Sequence, residues 1–231
     1  MPVGEGYTKS IVMWDSEKKS VIEAAQEMAR KGLVVGMAGN VSLRLKDNGE
    51  RELLAVTPSG RDYSSLKVDD IVVVDFTGQR VEGELKASIE TVMHIEVYKA
   101  RKKVNAIVHA HPVFCSVIAV TGMDIPPLID EQVVHIGGEI KVAEYAIPGT
   151  PELAKNAVSA LGPRNAVILA NHGALSVGRD MREALTICEL AEELAKIYIS
   201  ALSLGKVKSL PAEAIELEKA LFAAIYGESE Q

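Results

Sequence analysis

The stretch Val104-Asn105-Ala106-Ile107-Val108-His109-Ala110-His111-Pro112 is a predicted strand that ends in a pair of histidines. Its β-branched apolar residues are typical of strands, and they place His109 and His111 at the C-terminal end. Side chains at positions i and i+2 of a strand project from the same face. The two imidazoles can therefore reach one metal ion without distortion of the backbone.

The same pattern returns later in the chain. The stretch Val167-Ile168-Leu169-Ala170-Asn171-His172-Gly173 is again an apolar strand that ends in a histidine, followed by a glycine. Three histidines at strand ends, two of them paired, have the composition of a metal site with an open coordination position. We interpret His135, after Val133-Val134, as structural. His94 lies four residues after Glu90 on a predicted helix, so the pair could supply two ligands, or His94 could be a core histidine.

Composition narrows the class of protein. The 231 residues contain no linker-like run, which favours one domain over residues 1–231. The formal charge of −7 argues against a nucleic-acid surface. The N-terminal Met1–Tyr7 lacks an apolar signal region, no apolar run reaches transmembrane length, and the two cysteines have no disulfide or CxxC spacing. We therefore expect a cytoplasmic protein with no membrane or nucleic-acid partner.

Periodicity and turn residues predict an α/β chain with a mainly antiparallel central sheet flanked by helices. Short strands joined by tight turns come first, with a hairpin turn at Asp47-Asn48-Gly49. The strands are predicted at residues 41–45, 52–56, 71–75, 80–82, 104–108, 141–146 and 167–170. Helices are predicted from 15 or 16 to 31, at 88–101 and 113–120, from Thr150-Pro151-Glu152, and at 182–204 and 212–226.

Three short segments have the composition of an anion site. Gly39-Asn40 precedes one strand of the hairpin and Thr57-Pro58-Ser59-Gly60 follows the other, so the hairpin brings them together. Glycine N–H groups and small hydroxyls can form an anion-binding concavity. Ser88, near the start of a predicted helix, could add a hydroxyl and the helix dipole. Together they favour a phosphorylated substrate.

The order of five motifs resembles the class II aldolase/adducin-head family, which includes L-fuculose-1-phosphate aldolase. The motifs are GNVS (39–42), TPSG (57–60), SIE (88–90), HAHP (109–112) and NHG (171–173), and the resemblance runs from about Val21 to Tyr226. It implies a nine-stranded, mainly antiparallel sheet flanked by helices. It also implies a homotetramer whose active sites lie between subunits.

The resemblance also implies roles for individual residues. His109, His111 and His172 match the metal-binding imidazoles, and Glu90 matches a carboxylate that ligates the resting metal and then acts as base. The phosphate-binding positions are Gly39, Asn40, Ser59, Gly60 and Ser88. Tyr226 matches a mobile tail tyrosine that reaches the active site. His94 has no ligand role in the family pattern, which favours a structural residue.

Two departures from the fuculose enzyme affect the predicted reaction. Ile89 stands where that enzyme has a second serine, so one phosphate-binding hydroxyl is absent. Asp130 or Glu131 stands where it has an interface tyrosine that acts as general acid. These changes suggest a different aldehyde partner or a different reaction.

We therefore predict a metal-dependent aldolase that cleaves a ketose 1-phosphate reversibly to dihydroxyacetone phosphate and an aldehyde. Zinc suits three histidines and a carboxylate, and Mn²⁺, Co²⁺ or Fe²⁺ could also fit. A methylthioribulose-phosphate-type dehydratase stays open because Glu131 lies beyond the His-x-His strand, as does an oxo-acid-phosphate decarboxylase. An epimerase is disfavoured by glutamate at position 90, where that enzyme carries aspartate. An adducin-like binding module is disfavoured because such heads lose the metal ligands.

Overall fold

The computed structural model describes residues 14–45 and 51–227. The predicted hairpin turn Asp47-Asn48-Gly49 and the N-terminal segment Met1–Tyr7 lie outside the described residues. The helices are α1 (Asp15–Arg30), α2 (Thr91–Ala100), α3 (Val113–Thr121), α4 (Asp130–Ile136), α5 (Pro151–Leu161), α6 (Met181–Ser203) and α7 (Ala212–Tyr226). The strands are β1 (Asn40–Leu45), β2 (Leu53–Val56), β3 (Val72–Asp75), β4 (Arg80–Glu82), β5 (Ala106–Ala110), β6 (Val142–Ala143), β7 (Ala166–Leu169) and β8 (Gly173–Gly178).

The described strands form one sheet in the order β4-β3-β2-β1-β5-β8-β7-β6. Every neighbouring pair is antiparallel except β6–β7, which is parallel. This agrees with the predicted mainly antiparallel sheet flanked by helices. The resemblance implied nine strands, whereas the described residues form eight.

Helices cover both faces of the sheet because its central strands are apolar on both sides. Side chains of α1 and α6 pack on one face of β1, β2, β3 and β5. Those of α2 and α5 pack on the other face. Strand β5 is buried at every position, and its neighbours are β1 and β8. The histidine-bearing strand is therefore at the centre of the sheet, where its backbone is held from both sides.

Several predicted elements differ from the observed ones. Strand β8 and helix α4 had not been predicted: Gly173-Ala174-Leu175-Ser176-Val177-Gly178 is buried throughout and shows no polar alternation, and α4 is only seven residues long. The strand predicted at 141–146 shortens to Val142–Ala143. Helix α2 begins at Thr91, so Ser88 precedes the helix by three residues instead of lying within its first turn. No helix among residues 14–45 and 51–227 is long and apolar enough to cross a membrane.

Candidate metal centre

Three imidazoles converge at one end of the central strands. His109 is the fourth residue of β5, His111 follows that strand by one residue, and His172 lies in the turn between β7 and β8. The ring centroids are 4.7–4.9 Å apart in every pair. One ligand nitrogen from each ring lies within 4.8 Å of the other two. The structure thus brings together the three predicted histidines, although His172 lies in a hairpin turn and not at the end of its strand.

The backbone around His172 has little freedom. Asn171 adopts φ +54°, one of two positive values at non-glycine residues among the described residues. A Cβ atom on Gly173 would lie 2.7 Å from Cδ2 of His111 and overlap the carbonyl oxygen of Ala110. Only glycine therefore allows the β7–β8 turn to approach β5 this closely. Such close approach carries His172 to the paired histidines.

A backbone contact sets the tautomer of His109. Its Nδ1 lies 2.9 Å from the carbonyl oxygen of Ala174 on β8, and a carbonyl can only accept. Nδ1 of His109 therefore carries a proton, and Nε2 faces His111 and the Glu90 carboxylate. His109 Nε2 lies 3.0 Å from His111 Nε2. Two lone pairs at this distance repel each other unless a proton or a cation lies between them.

Glu90 is the acidic member of the site. It immediately precedes α2, is buried, and lies with Oε2 3.2 Å from His109 Nε2 and Oε1 3.4 Å from His172 Nε2. The Asn40 side-chain amide donates to Oε2 at 2.8 Å. Oε1 is buried and makes no hydrogen bond within the described residues.

The charges of the site follow from burial and proximity. Burial would raise the pKa of Glu90, but the charge and hydrogen bond of His109, the charge of His172 and the Asn40 amide outweigh it and lower this pKa to about 2. Burial, followed by the charge of His109, lowers the pKa of His111 and of His172 to about 4. At neutral pH Glu90 is therefore ionised, and these two imidazoles are neutral.

This donor set fits a divalent metal ion. Three imidazole nitrogens and one carboxylate are ligands that zinc accepts in a site with an open position. The buried Oε1 of Glu90 lacks a hydrogen-bond partner in the described part of the chain. Buried polar atoms are rarely left unsatisfied in native proteins. His109, His111 and His172, with Glu90, are thus the residues that would hold the metal.

The predicted phosphate segments lie beside Glu90. Val41 N donates to Thr57 Oγ1 at 3.1 Å, which joins the two sides of the hairpin. Ser59 N donates to Lys86 O at 2.9 Å and Ser88 N to Thr57 O at 3.1 Å, so the TPSG loop pairs with the segment that leads to Glu90. Within the described residues, the Ser59 hydroxyl and the Gly60 N–H make no hydrogen bond. The hairpin does bring these segments together, as the sequence predicts.

The family model for the class II aldolase and adducin N-terminal domain matches residues 19–199. The chain belongs to this family. Its class II aldolase members use a divalent metal, and the three histidines form a group that could bind one. The chain is accordingly an aldolase by family, and the family acts on small sugar phosphates.

Similar proteins and structures support the same conclusion. The 5-deoxy-D-ribulose 1-phosphate aldolase of Bacillus thuringiensis is 33% identical, with 89% of this chain and 94% of the relative covered. The 5-methylthioribulose-1-phosphate/5-deoxyribulose-1-phosphate aldolase of Rhodospirillum rubrum is 35% identical, with 87% and 90% covered. A solved L-fuculose 1-phosphate aldolase superposes with a TM-score of 0.84 at 38% identity, with 90% of this chain and 96% of that structure covered.

The candidate proton donors lie elsewhere in the chain. Glu131 and Tyr226 line a cavity of 600 Å³ between α4, α6 and α7, and none of the three histidines lines it. The Tyr226 hydroxyl donates to Glu183 Oε1 at 3.3 Å, and its ring lies 5.0 Å from the guanidinium carbon of Arg179. Asp130 and Glu131 both lie near Glu218, whose pKa is raised by burial and then by these carboxyl groups, Asp130 before Glu131. Within one chain, then, the structure does not bring Asp130, Glu131 or Tyr226 to the histidines.

The other two histidines have no place in the cluster. His94 is fully buried, and its Nδ1 lies 2.6 Å from the Ser42 hydroxyl, which in turn lies 2.9 Å from the Tyr98 hydroxyl. This agrees with a structural histidine. His135 is exposed on α4.

Sequence reasoning did not single out Tyr63, although its buried side chain contacts the Gly39 loop. The sequence feature that could have identified Tyr63 is its position three residues after the TPSG motif.

Proposed function

We propose that this protein is a metal-dependent aldolase that reversibly cleaves a ketose 1-phosphate to dihydroxyacetone phosphate and an aldehyde. The observation that carries the proposal is the convergence of three imidazole nitrogens, two of which face Glu90, whose Oε1 has no hydrogen-bond partner among the described residues. A bound divalent ion, most simply zinc, would polarise the substrate carbonyl and stabilise the negative charge that develops when the C3–C4 bond breaks.

Glu90 is the proposed proton carrier at C3. In the condensation direction its Oε1 accepts the C3 proton of dihydroxyacetone phosphate, and in cleavage it returns that proton to carbon. The Asn40 amide donates to Oε2 and so holds the carboxylate with its other oxygen free. Burial keeps water from competing for the same oxygen.

The substrate phosphate is assigned to the segments around Gly39 and Ser59. Free donors there are the N–H of Gly39, the N–H of Gly60 and the hydroxyl of Ser59, none of which has a hydrogen-bond partner in the described residues. Asn40 and Ser88 both contact Glu90, which lies beside these segments. The Asn40 amide donates to the Glu90 carboxylate, and Glu90 N donates to Ser88 Oγ at 3.3 Å. Short uncharged donors of this kind bind phosphate through hydrogen bonds.

The proton donor for the aldehyde oxygen is proposed to come from a second copy of the chain. Glu131 lines the same cavity as Tyr226 and Asp130 does not, so Glu131 is the better candidate acid. An exposed apolar stripe runs along α7 up to Tyr226, and another runs along α3 just after His111. The stripes consist of Leu217, Leu221 and Ile225 on α7, and Val113, Val117 and Val120 on α3.

Apolar stripes of this size are typical of surfaces that are covered in an assembly. Since the two stripes lie on different helices, a contact between them is head-to-tail, and such contacts form a ring when the rotation between copies closes. We propose a cytoplasmic homotetramer with active sites between subunits.

A panel of ketose 1-phosphates tests the proposal. The purified zinc-loaded protein is incubated with 5-deoxyribulose 1-phosphate, 5-methylthioribulose 1-phosphate and fuculose 1-phosphate, and dihydroxyacetone phosphate is assayed. We expect it to form from at least one compound, together with the matching aldehyde. Loss of water from a member of the panel, with no dihydroxyacetone phosphate, would replace the aldolase with the dehydratase. The decarboxylase is tested separately with an oxo-acid phosphate, from which it would release carbon dioxide.

A further inference from the structure

Tyr63 connects the two glycine-containing segments of the proposed phosphate site. It lies three residues after Gly60, in the 3₁₀ turn Tyr63–Ser65, and its side chain is buried. Asp62 caps this turn by accepting from Ser64 N at 2.9 Å, and Gln26 of α1 donates to the Tyr63 carbonyl at 3.1 Å. The backbone of Tyr63 is thus fixed from both sides.

The Tyr63 hydroxyl contacts the other segment. It lies 2.6 Å from the carbonyl oxygen of Gly39 and 3.1 Å from that of Ala38. Both acceptors are carbonyls, so the phenol must be the donor. Burial, and then the negative charge of Glu90, raise the pKa of Tyr63, and the hydroxyl keeps its proton at neutral pH.

These contacts orient the peptide between Ala38 and Gly39. In a trans peptide the C=O and the following N–H point in opposite directions. Because the Ala38 carbonyl points to Tyr63, the Gly39 N–H points away from it, and it makes no hydrogen bond within the described residues. The φ of Gly39 is +74°, and a Cβ atom there would overlap the His109 carbonyl oxygen. The Gly39 peptide is thus held between Tyr63 and the metal-bearing strand.

We propose that Tyr63 is a positioning residue for the substrate phosphate: its hydroxyl holds the Gly39 peptide so that the Gly39 N–H faces the anion. This inference rests on the proposed function, because it needs a phosphorylated substrate. Tyr63 itself touches no reacting atom. Its loss therefore weakens phosphate binding and leaves the metal ligands and the chemical step in place.

Tyr63→Phe keeps the ring and removes only the hydroxyl. Tyr98→Phe is the matched control, since Tyr98 is also buried and donates to a backbone carbonyl, that of Ser42 at 3.0 Å, away from the Gly39 loop. Binding of inorganic phosphate to the zinc-loaded proteins is measured by calorimetry, and zinc content by elemental analysis. For Tyr63→Phe we expect about tenfold weaker phosphate binding at unchanged zinc content, the effect of one misplaced donor, and wild-type binding for Tyr98→Phe.

The steady-state constants separate positioning from catalysis. Tyr63→Phe should raise KM for the ketose 1-phosphate about tenfold and change kcat less than about threefold, since the displaced donor binds ground state and transition state alike. Gln26→Ala, which loosens the same turn from behind, should shift phosphate affinity in the same direction and serves if Tyr63→Phe fails to fold. Phosphate affinity equal to wild type in both variants would overturn the inference and leave the proposed function standing. If the wild-type protein does not bind phosphate, the proposal that its substrate is phosphorylated would be wrong instead.

Discussion

The side-chain nitrogen of Asn40 lies 2.8 Å from Oε2 of Glu90, and the opposite oxygen of that carboxylate is buried without a hydrogen-bond partner in the described residues. Asn40 is the first residue of β1, and Glu90 comes 50 positions later, directly before α2. The contact therefore links the proposed phosphate segment to the proposed base. Substrate bound through the first is presented to the second.

Replacing Glu90 by glutamine separates metal binding from proton transfer. We expect Glu90→Gln to retain most of its metal, because three imidazoles remain, and to lose at least about 100-fold in turnover, because an amide cannot accept the proton. Elemental analysis and the dihydroxyacetone phosphate assay measure the two effects. Glu96→Gln, a half-buried acid on α2 outside the histidine cluster, is the control. Near-normal turnover by Glu90→Gln would exclude Glu90 as the base and make Glu131→Gln the next variant.

The metal assignment is tested by removing its ligands. The His109→Ala/His111→Ala variant should lose the divalent ion, because one imidazole and one carboxylate hold zinc far more weakly than the full set. His135→Ala, which removes an exposed histidine outside the cluster, should keep one ion per subunit. Full occupancy in the double variant would show that these histidines are not the ligands.

Comparison of Gly39 with Gly36 gives the energetic cost of a side chain at the close contact between position 39 and β5. Gly39→Ala should destabilise the protein by about 2 kcal/mol or more beyond Gly36→Ala, because both have positive φ but only a Cβ at position 39 overlaps the His109 carbonyl. Chemical denaturation gives the free energy of unfolding of each. Equal stabilities would mean that β1 and β5 can move apart at this point.

His94 predicts a pH dependence of stability. Burial, followed by the charge of His109, lowers the pKa of His94 to about 3, well below its ordinary value near 6.5. Below about pH 6.5 the unfolded chain therefore binds a proton at His94 that the folded chain does not bind. The contribution of His94 to the free energy of unfolding is complete above about pH 6.5 and falls with decreasing pH by about 1.4 kcal/mol per pH unit. Between pH 6 and 4, His94→Asn should reduce the slope of the free energy of unfolding against pH by the amount that corresponds to one bound proton. A slope identical to wild type would show that His94 can be protonated in the folded state.

The shared-site proposal predicts that assembly and activity are lost together. Val117→Glu on α3 or Leu221→Glu on α7 should abolish activity and dissociate the assembly while each chain keeps its fold, because a charge cannot be buried in an apolar contact. Sedimentation and circular dichroism report the two properties, and Lys19→Glu, exposed on α1, is the control. Deletion from Tyr226 onward should lower the rate and leave the assembly intact. A fully active monomer would refute the shared site.

The local features of the site could be predicted from the residues alone. The two-residue period of a strand places His109 and His111 on one face, the strand that ends in a histidine identified His172, and the family motifs gave Glu90 its role. These features depend on a few consecutive residues or on their order in the chain. Helix α5 was predicted for the same reason, since Thr150 caps it with its own side chain.

Other features depend on contacts between distant segments. Strand β8 is buried on both faces and has no polar alternation, so its role as the partner of β5 is visible only when the sheet is assembled. Asp130 and Glu131 are adjacent in sequence and equivalent as acids, yet the fold places Glu131 in the lining of the cavity that Tyr226 also lines, and Asp130 outside it. Tyr63 has no motif of its own. Its proposed function follows from a hydroxyl that donates to a carbonyl 24 residues earlier in the chain. A contact between distant residues of this kind produces no periodic pattern in the sequence, so it could not be predicted.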